Sequence, residues 1–262
     1  MKIGVCIKQV PDTASKLRVK EDRSGISEEG IKFVVSPYDE YAVEEALRTK
    51  EKIAGSDVTV LTVGPKRAQE ALRTALAMGC DKGVHVVSDG HASLDSLAVS
   101  KLLASRVKDL GLDLVFTGRH AVDDDNAQVS QMLAEFLGWP HVTVVSKCTI
   151  SPDGKSARVE RDVEGGTKEV WEVTLPAVLA GTKGLNEPRY ASLKGIMQAK
   201  SKPFTTLSVA EAGLSEGELA SKVTWSGYVP PPERKPGRMF KDDPVQAVEE
   251  VVRLLRQESK VI

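Results

Sequence analysis

Leu114-Val115-Phe116-Thr117-Gly118-Arg119-His120-Ala121-Val122-Asp123-Asp124-Asp125-Asn126-Ala127-Gln128-Val129 is the most informative stretch of this chain. It begins with an apolar run that ends at a glycine, which is typical of a buried strand, and the apolar residues from Met132 to Leu137 then repeat at helical spacing. The stretch therefore predicts a strand, a loop and a helix that begins near Asn126. Because the first N–H groups of a helix lack partners, this helix would stabilise a phosphate or another anion at the carboxyl end of the strand.

Strands and helices also alternate along the chain before this stretch. Short apolar runs predict the strands, and apolar residues three or four apart predict the helices. In chain order, these elements are a strand at Met1–Ile7, a helix from Tyr38, a strand at Val58–Val63, a helix with Pro65 in its first turn and Gly79 at its end, a strand at Val84–Val87, a helix through Leu97–Leu103 and a strand at Leu112–Phe116. The first helix carries Glu44 and Glu45 opposite its apolar face. This alternation predicts a doubly wound α/β domain, in which helices cover both faces of a mostly parallel sheet.

Two segments depart from this alternation. The polar stretch between Val10 and Val35 indicates a long excursion with a short edge strand at Leu17–Lys20. From Val142 onward, short alternating runs are separated by turn residues, which predicts antiparallel strands appended to the sheet. These strands are expected at Val142–Val145, Ala157–Glu160 and Val170–Val173.

The C-terminal region forms a proline-rich arm. Val229–Gly237 predicts an extended linker, and Asp243 and Pro244 are typical of the N-cap and first residue of a terminal amphipathic helix. We expect an α/β domain at residues 1–228 and the arm at residues 229–262. The apolar stripe of the terminal helix packs either on its own domain or on another subunit.

Composition excludes several function classes. Lysine and arginine number 36 against 37 aspartate and glutamate, so net charge gives no reason to expect a nucleic-acid partner. Cys6, Cys80 and Cys148 lie far apart, which favours buried thiols in a reducing compartment over a metal or redox site. No apolar stretch reaches the roughly twenty residues that span a bilayer, and no signal peptide is visible. We expect a cytoplasmic protein without direct membrane insertion.

Candidate ligand-binding loops follow the predicted strands. In open α/β sheets, ligands bind at the carboxyl ends of the strands, where the strand order reverses. Such loops follow the strands that end near Cys6, Val35, Val63 and Gly118, and the second of them reads Ser36-Pro37-Tyr38-Asp39. The sequence contains neither G-x-G-x-x-G nor G-x-x-x-x-G-K-[ST], so a nucleotide would have to be held in another way.

Asp123, Asp124 and Asp125 leave the role of the long loop open. These carboxylates would repel a phosphate unless they face ribose hydroxyls, caps or solvent, and they are equally typical of an acidic helix cap with no ligand. A divalent metal ranks last because the three carboxylates are consecutive. The four histidines are scattered and no serine or cysteine lies in a nucleophile motif, so we assign no catalytic residue.

A second unusual stretch is Leu185–Lys202. Leu193, Ile196 and Met197 fall on one helical face, with Lys194, Lys200 and Lys202 around them. This pattern fits an ordinary surface helix that buries its stripe, and it fits apolar anchors that dock on an acidic partner surface. The sequence leaves both interpretations open.

Several blocks of the chain resemble the β subunits of electron transfer flavoproteins, and the likeness extends over essentially the whole length. The blocks are Val5–Thr13, Pro37–Ala46, Gly118–Gln128, Gly138–Pro140, Val163–Gly166 and Leu185–Lys200. The resemblance implies a fold of the adenine nucleotide hydrolase-like or flavodoxin-like kind. It also implies a heterodimer in which the α subunit holds the redox-active FAD and this chain binds a structural AMP. Such proteins carry electrons from flavoprotein dehydrogenases, such as the acyl-CoA dehydrogenases of fatty acid β-oxidation, to a membrane quinone oxidoreductase.

The resemblance also implies roles for particular residues. The AMP site would comprise Cys6, Ser36, Pro37, Tyr38, Asp39, Val63 and the loop from Gly118 to Val129, with the phosphate near Asn126–Val129. Tyr38 would also approach the flavin of the α subunit. The partner-docking segment would span about 184–202, with Tyr190, Leu193, Ile196, Met197 and Lys200 as its contacts. Residues beyond Pro236 would pack on the α subunit.

Two alternatives to an AMP-binding electron carrier remain. One is the FAD-binding β subunit of an electron-bifurcating flavoprotein, and the other is a nucleotide-hydrolysing α/β enzyme. Bifurcating relatives usually have a glycine between the aspartates of the loop and lack the Asn-Glu-Pro of residues 186–188. The sequence therefore favours AMP.

Overall fold

A computed structural model of the chain describes residues 1–89, 94–233, 236–241 and 243–262. The strands are β1 (Lys2–Cys6), β2 (Gln9–Pro11), β3 (Phe33–Val35), β4 (Asp57–Gly64), β5 (Lys82–Val87), β6 (Leu114–Gly118), β7 (His141–Ile150), β8 (Ser156–Asp162), β9 (Lys168–Thr174), β10 (Ala177–Gly181) and β11 (Phe204–Ser208). The helices are α1 (Pro37–Lys52), α2 (Gln69–Met78), α3 (Ser96–Leu110), α4 (Val129–Leu137), α5 (Leu193–Ala199), α6 (Glu216–Leu219) and α7 (Pro244–Leu254).

The main sheet confirms the predicted doubly wound fold. In the described part of the chain, its strand order is β11-β5-β4-β1-β6-β10-β7-β8-β9. The strands from β11 to β7 pair in parallel, and β8 and β9 extend β7 as an antiparallel addition. The strands expected at Ala157–Glu160 and Val170–Val173 are antiparallel as predicted, whereas the strand expected at Val142–Val145 pairs in parallel with β10 and so belongs to the main parallel sheet. From β1 the chain first builds toward β4 and β5, and it then returns to place β6 on the other side. The strand order therefore reverses between β1 and β6.

Buried apolar side chains cover both faces of this sheet. Successive residues of β6 alternate between them, since Leu114 and Phe116 pack with α1 and α2, whereas Val115 packs with α3 and α4. All three of these side chains are buried. A strand that is apolar on both faces is what a sheet covered by helices on both sides requires.

Three local expectations are wrong. Leu17–Lys20 forms no strand, because only a single bridge joins Val19 to Ile26. The strand that ends at Val35 pairs antiparallel with β2 in a separate two-stranded sheet, so it is not part of the parallel sheet. Pro65 precedes a 3-10 turn at Lys66–Ala68, and α2 begins only at Gln69.

The arm carries an uncovered helix. Residues 229–233 and 236–241 contain no helix or strand, in line with the predicted linker, whereas Arg234 and Lys235 lie outside the described residues. Asp243 caps α7 by accepting a hydrogen bond from Val245 N–H at 2.9 Å, as expected. The Val245 and Val248 side chains of α7 are 66% and 62% exposed. Within the described residues, none of the helices combines the length and apolarity that crossing a bilayer requires.

Candidate functional site

The candidate site lies where the strand order reverses. β1 and β6 are neighbours there, and the loops that follow them diverge to leave a crevice at the carboxyl edge of the sheet. Asp39, in the first turn of α1, joins the two loops. Its carboxylate accepts hydrogen bonds from Lys8 N–H at 2.7 Å and from Gly118 N–H at 2.9 Å. Burial raises the pKa of Asp39 to about 7, although both donors favour the ionised form.

The crevice encloses about 810 Å³ of space, including its solvent-open mouth. Of the residues expected to bind a nucleotide, those that line the crevice are Cys6, Asp39, Val63, Gly118, Arg119, His120, Ala121, Asp124, Asn126, Ala127, Gln128 and Val129. Those outside its lining are Ser36, Pro37, Tyr38, Val122, Asp123 and Asp125.

Sequence reasoning missed part of this lining. The additional residues are Ile7, Lys8, Leu94, Ser96, Val99, Leu103, Thr117 and Ser130. Four of them belong to α3 or immediately precede it, and α3 packs closely beside α4. The signal that could have found them is the topology itself, because α3 and α4 cover the same face of the sheet next to β1.

The loop before α4 differs from expectation in its length. The helix begins at Val129 rather than near Asn126, because Asp125 and Ala127 adopt left-handed backbone angles, with φ of 51° and 50°. Such angles are uncommon in residues other than glycine and interrupt a helix. Gln128 occupies the N-cap position but its side chain makes no capping hydrogen bond. The first turn of α4 therefore lacks a side-chain cap where Gln128, Val129 and Ser130 line the crevice.

Lys8 neutralises part of the aspartate triplet. Its Nζ lies 2.9 Å from Asp123 Oδ1 and 2.8 Å from Asp124 Oδ2. Burial lowers the pKa of Lys8, but the two carboxylates outweigh burial and raise it above its ordinary value, so the ammonium stays charged. Among the described residues, no group of three or more histidine, cysteine, aspartate or glutamate side chains is arranged to hold a metal ion. Lys8 thus compensates part of the negative charge that the triplet places next to the crevice.

Tyr38, Arg119 and His120 form an aromatic and cationic cluster at the mouth. The Tyr38 and His120 rings meet edge to face at 4.4 Å, and the Arg119 guanidinium lies 4.9 Å from the centre of the Tyr38 ring. Burial and the charge of Arg119 lower the pKa of His120, so the neutral ring accepts a hydrogen bond from Arg119 Nε at 3.1 Å. Asp125 Oδ1 lies 3.2 Å from the same ring nitrogen, a contact that becomes an ion pair only when the ring is protonated.

Thr117 supplies a buried polar atom without a partner. The residue is 5% exposed and belongs to the crevice lining, and its buried Oγ1 has no hydrogen-bond partner among the described residues. Buried hydroxyls without partners are unfavourable by about 1–3 kcal/mol and are rare in folded proteins. The crevice thus offers a buried hydroxyl, an uncapped helix start and apolar walls, which together fit a polar organic anion.

The cysteines and histidines of the described residues form no nucleophilic pair. Cys6, Cys80 and Cys148 are buried free thiols, and burial raises the pKa of each. His85 is buried against the carbonyl oxygen of Gly64, with 3.1 Å between ring nitrogen and oxygen.

The second stretch presents its apolar residues to solvent. Tyr190 is 97% exposed, Leu193 84%, Met197 73% and Ile196 48%, so the interpretation as a helix that buries its stripe is wrong. α5 begins at Leu193 after a cap by Ser192. Lys194 and Lys200 are exposed, whereas Lys202 turns inward.

Gly195 and Lys202 hold α5 against α2. A Cβ at Gly195 would lie 2.2 Å from the carbonyl oxygen of Ala77, so only glycine allows this approach. Lys202 Nζ donates to the carbonyl oxygens of Leu76 and Cys80 at 2.8 and 2.7 Å, near the end of α2. Lys202 is thus a helix-capping residue rather than part of a basic rim.

Comparison with known proteins gives consistent matches along the chain. The family model described as "Electron transfer flavoprotein domain" matches residues 24–212. The protein named "Electron transfer flavoprotein subunit beta" of Bacillus subtilis (strain 168) is 39% identical over 263 residues, covering 100% of both chains. The Arabidopsis thaliana protein "Electron transfer flavoprotein subunit beta, mitochondrial" is 39% identical over 262 residues, again covering 100% of both. The Homo sapiens "Electron transfer flavoprotein subunit beta" is 39% identical over 263 residues, covering 100% of this chain and 99% of the relative.

Proposed function

This chain belongs to the electron transfer flavoprotein family as a β subunit, and from that premise we propose that it is the AMP-binding half of a heterodimeric electron carrier. The α subunit holds the FAD that accepts and donates electrons, whereas this chain performs no bond chemistry of its own. The observation that carries the AMP assignment is the uncapped start of α4 at the crevice, where first-turn N–H groups favour a phosphate.

The residues around the crevice fit AMP in three respects. The phosphate would be held by N–H groups at the start of α4, and Lys8 limits repulsion from the neighbouring carboxylates. The Thr117 hydroxyl would gain a partner on the ribose or base. Val99 and Leu103 supply apolar wall for the adenine. AMP in this role supplies binding energy to the folded state and no redox chemistry.

The exposed patch formed by Tyr190, Leu193, Ile196 and Met197 is the proposed docking site for dehydrogenases. Apolar side chains this exposed are unfavourable in water, so a partner that covers them gains free energy. Lys194 and Lys200 beside the patch favour an acidic partner rim. Electrons would enter from flavoprotein dehydrogenases such as acyl-CoA dehydrogenases and leave to a membrane quinone oxidoreductase.

The arm provides the proposed contact with the α subunit. Val245 and Val248 on α7 are mostly exposed and would be buried there. The three free, buried cysteines suit a reducing compartment, and we propose a cytoplasmic location.

Release of nucleotides from the purified heterodimer tests this function. The complex is denatured, and the nucleotides are separated and counted per heterodimer. We expect one FAD and one AMP. Two FAD would identify a bifurcating subunit instead, and turnover of added ATP by the native complex would identify a hydrolytic enzyme; either result overturns the proposal.

A further inference from the structure

The segment that carries the exposed patch is clamped to α1 by one arginine. Residues 185–192 form no helix or strand, and the side chains of Tyr190 and Leu193 are almost fully exposed to solvent. Arg189, immediately before Tyr190, donates from Nε to Glu44 Oε2 at 2.7 Å and from Nη2 to Glu44 Oε1 at 3.1 Å. Its backbone N–H also reaches Glu44 Oε2, at 3.2 Å. Paired hydrogen bonds of this kind fix both the position and the plane of a guanidinium group.

Glu44 is the buried half of this clamp. Its side chain is only 3% exposed, which corrects the expectation that Glu44 and Glu45 lie on the polar face of α1. Burial opposes its ionisation, but hydrogen bonds from Arg189 and from Arg48, whose Nε lies 2.7 Å from Oε1, outweigh burial and hold the pKa of Glu44 below its ordinary value. A buried carboxylate that is fully paired has one favoured position, and removal of its partner is strongly unfavourable.

Further contacts attach the same segment to the same helix. Arg189 Nη1 donates to Glu51 Oε1 at 2.6 Å. Glu51 lies about two helical turns beyond Glu44 on α1. Asn186 Nδ2 donates to the carbonyl oxygen of Tyr41 at 3.0 Å and to Glu45 Oε2 at 2.9 Å. Charged and amide groups therefore attach this segment to α1, while α5, which begins at Leu193, is held against α2 at Gly195.

We propose that Arg189 is the positioning residue of the docking patch, and that its clamp on Glu44 and Glu51 holds Tyr190 and Leu193 ready for the partner dehydrogenase. The inference rests on the proposed docking function of the patch. A patch held in place before contact loses less conformational freedom on binding, so the clamp strengthens association without touching the partner. Its loss weakens docking while leaving electron transfer within the docked complex unchanged.

Arg189→Gln and Glu44→Gln in the intact heterodimer test the inference. Lys50→Gln is the matched control, because it removes an ion pair of the same helix whose partner, Asp81, is not part of the docking segment. We expect the first two variants to raise the KM for the reduced dehydrogenase about tenfold with kcat within about twofold. Amide hydrogen exchange of residues 186–198 should become faster in both, and Lys50→Gln should match the wild type in all three readouts.

Two further variants keep the test decisive. Glu51→Gln removes only the exposed half of the clamp, since Glu51 is 57% exposed, and should give a smaller increase in KM even if Arg189→Gln fails to fold. Leu193→Ala tests docking itself. If Leu193→Ala slows transfer while the clamp variants that fold keep the wild-type KM and exchange, the positioning role is overturned. If Leu193→Ala leaves transfer unchanged, the proposed docking function fails first, and the positioning role with it.

Discussion

The carboxylate of Asp39 and the backbone N–H of Gly118 are hydrogen-bonded at 2.9 Å, although 79 residues separate them in the chain. The other carboxylate oxygen binds Lys8 N–H at 2.7 Å. One side chain in the first turn of α1 thus joins the loops after β1 and β6, between which the crevice opens. The geometry of the candidate nucleotide site depends on a residue whose own oxygens are already occupied by protein donors.

Asp39→Asn should destabilise the protein and lower its nucleotide content. A carboxyl group offers an oxygen to each N–H, whereas the asparagine amide offers one oxygen and turns its NH₂ group toward the other donor. We expect a loss of about 1–3 kcal/mol in the free energy of unfolding. Thermal unfolding of the heterodimer measures it, with Asp57→Asn, which removes an exposed ion pair with Lys82, as the control. Equal melting temperatures for Asp39→Asn and the wild type would show that the two N–H groups do not need this acceptor.

The contribution of Asp39 to stability should fall as pH rises. Burial raises its folded-state pKa from the ordinary 3.8 to about 7, so between these values the folded state binds the proton more tightly than the unfolded chain. The favourable contribution is therefore fully present below the ordinary pKa and is lost as pH rises through about 7. Unfolding free energies of the wild type and Asp39→Asn, measured across this window, should show a difference that shrinks with increasing pH. A difference that stays constant or grows would contradict the raised pKa.

Gly118→Ala should disturb the same junction through steric overlap. A Cβ at this position would lie 2.5 Å from Asp39 Oδ1 and 2.8 Å from the backbone carbonyl carbon of Tyr38, and the latter cannot move without α1. Overpacking of this kind destabilises by about 1–3 kcal/mol. The free energy of unfolding and the AMP content of the heterodimer should both decrease, whereas Gly217→Ala, where a Cβ meets nothing within 4 Å, should leave both unchanged. Normal AMP content in Gly118→Ala would mean that the crevice tolerates a shift of α1.

The sequence predicts the alternating strands and helices of this fold well, because the spacing of the apolar residues indicates each of these elements. β10 escaped prediction for a physical reason: all five residues of Ala177–Gly181 are buried, so the strand shows no alternation, and it follows a proline. A central strand covered on both faces is hard to distinguish from any short apolar run. Its place between β6 and β7 depends on long-range pairing that local pattern does not encode.

The candidate site was predictable in position and less so in detail. The loop from Gly118 to Val129, one of four candidate loops in the sequence, lies at the reversal point, but α4 begins only at Val129 because of the left-handed angle at Ala127, which an alanine does not predict. Thr117 has the sequence pattern of an ordinary strand residue, and only the folded structure shows that its Oγ1 has no hydrogen-bond partner among the described residues. The sequence places Glu44 on the polar face of α1. In the structure it is buried, and its carboxylate is paired with Arg189, which lies 145 positions later in the chain.

Leu193→Ala should slow electron transfer from the dehydrogenase without changing the fold. The side chain is 84% exposed, so its truncation removes little packing from this chain but removes an anchor from the docking patch. We expect KM for the dehydrogenase to rise about tenfold or more, with FAD content and melting temperature unchanged. Val223→Ala is a matched control, because Val223 is also a mostly exposed apolar residue, at 52%, outside the patch. Equal KM values for Leu193→Ala and Val223→Ala would place docking elsewhere.

Lys8→Gln should weaken AMP binding through electrostatics. The ammonium group pairs with Asp123 and Asp124, and without it the negative charges of both carboxylates, close to the anion site, are uncompensated. The loss of one positive charge in a partly solvated site corresponds to about 1–2 kcal/mol, or about tenfold in Kd. Titration of nucleotide-depleted heterodimer with AMP measures the change, and higher ionic strength should reduce it because Lys8 is partly exposed. Adenosine, which lacks the phosphate, should bind the variant and the wild type almost equally. If Lys8→Gln weakens adenosine as much as AMP, the lysine acts on the shape of the crevice, and the phosphate lies away from the start of α4.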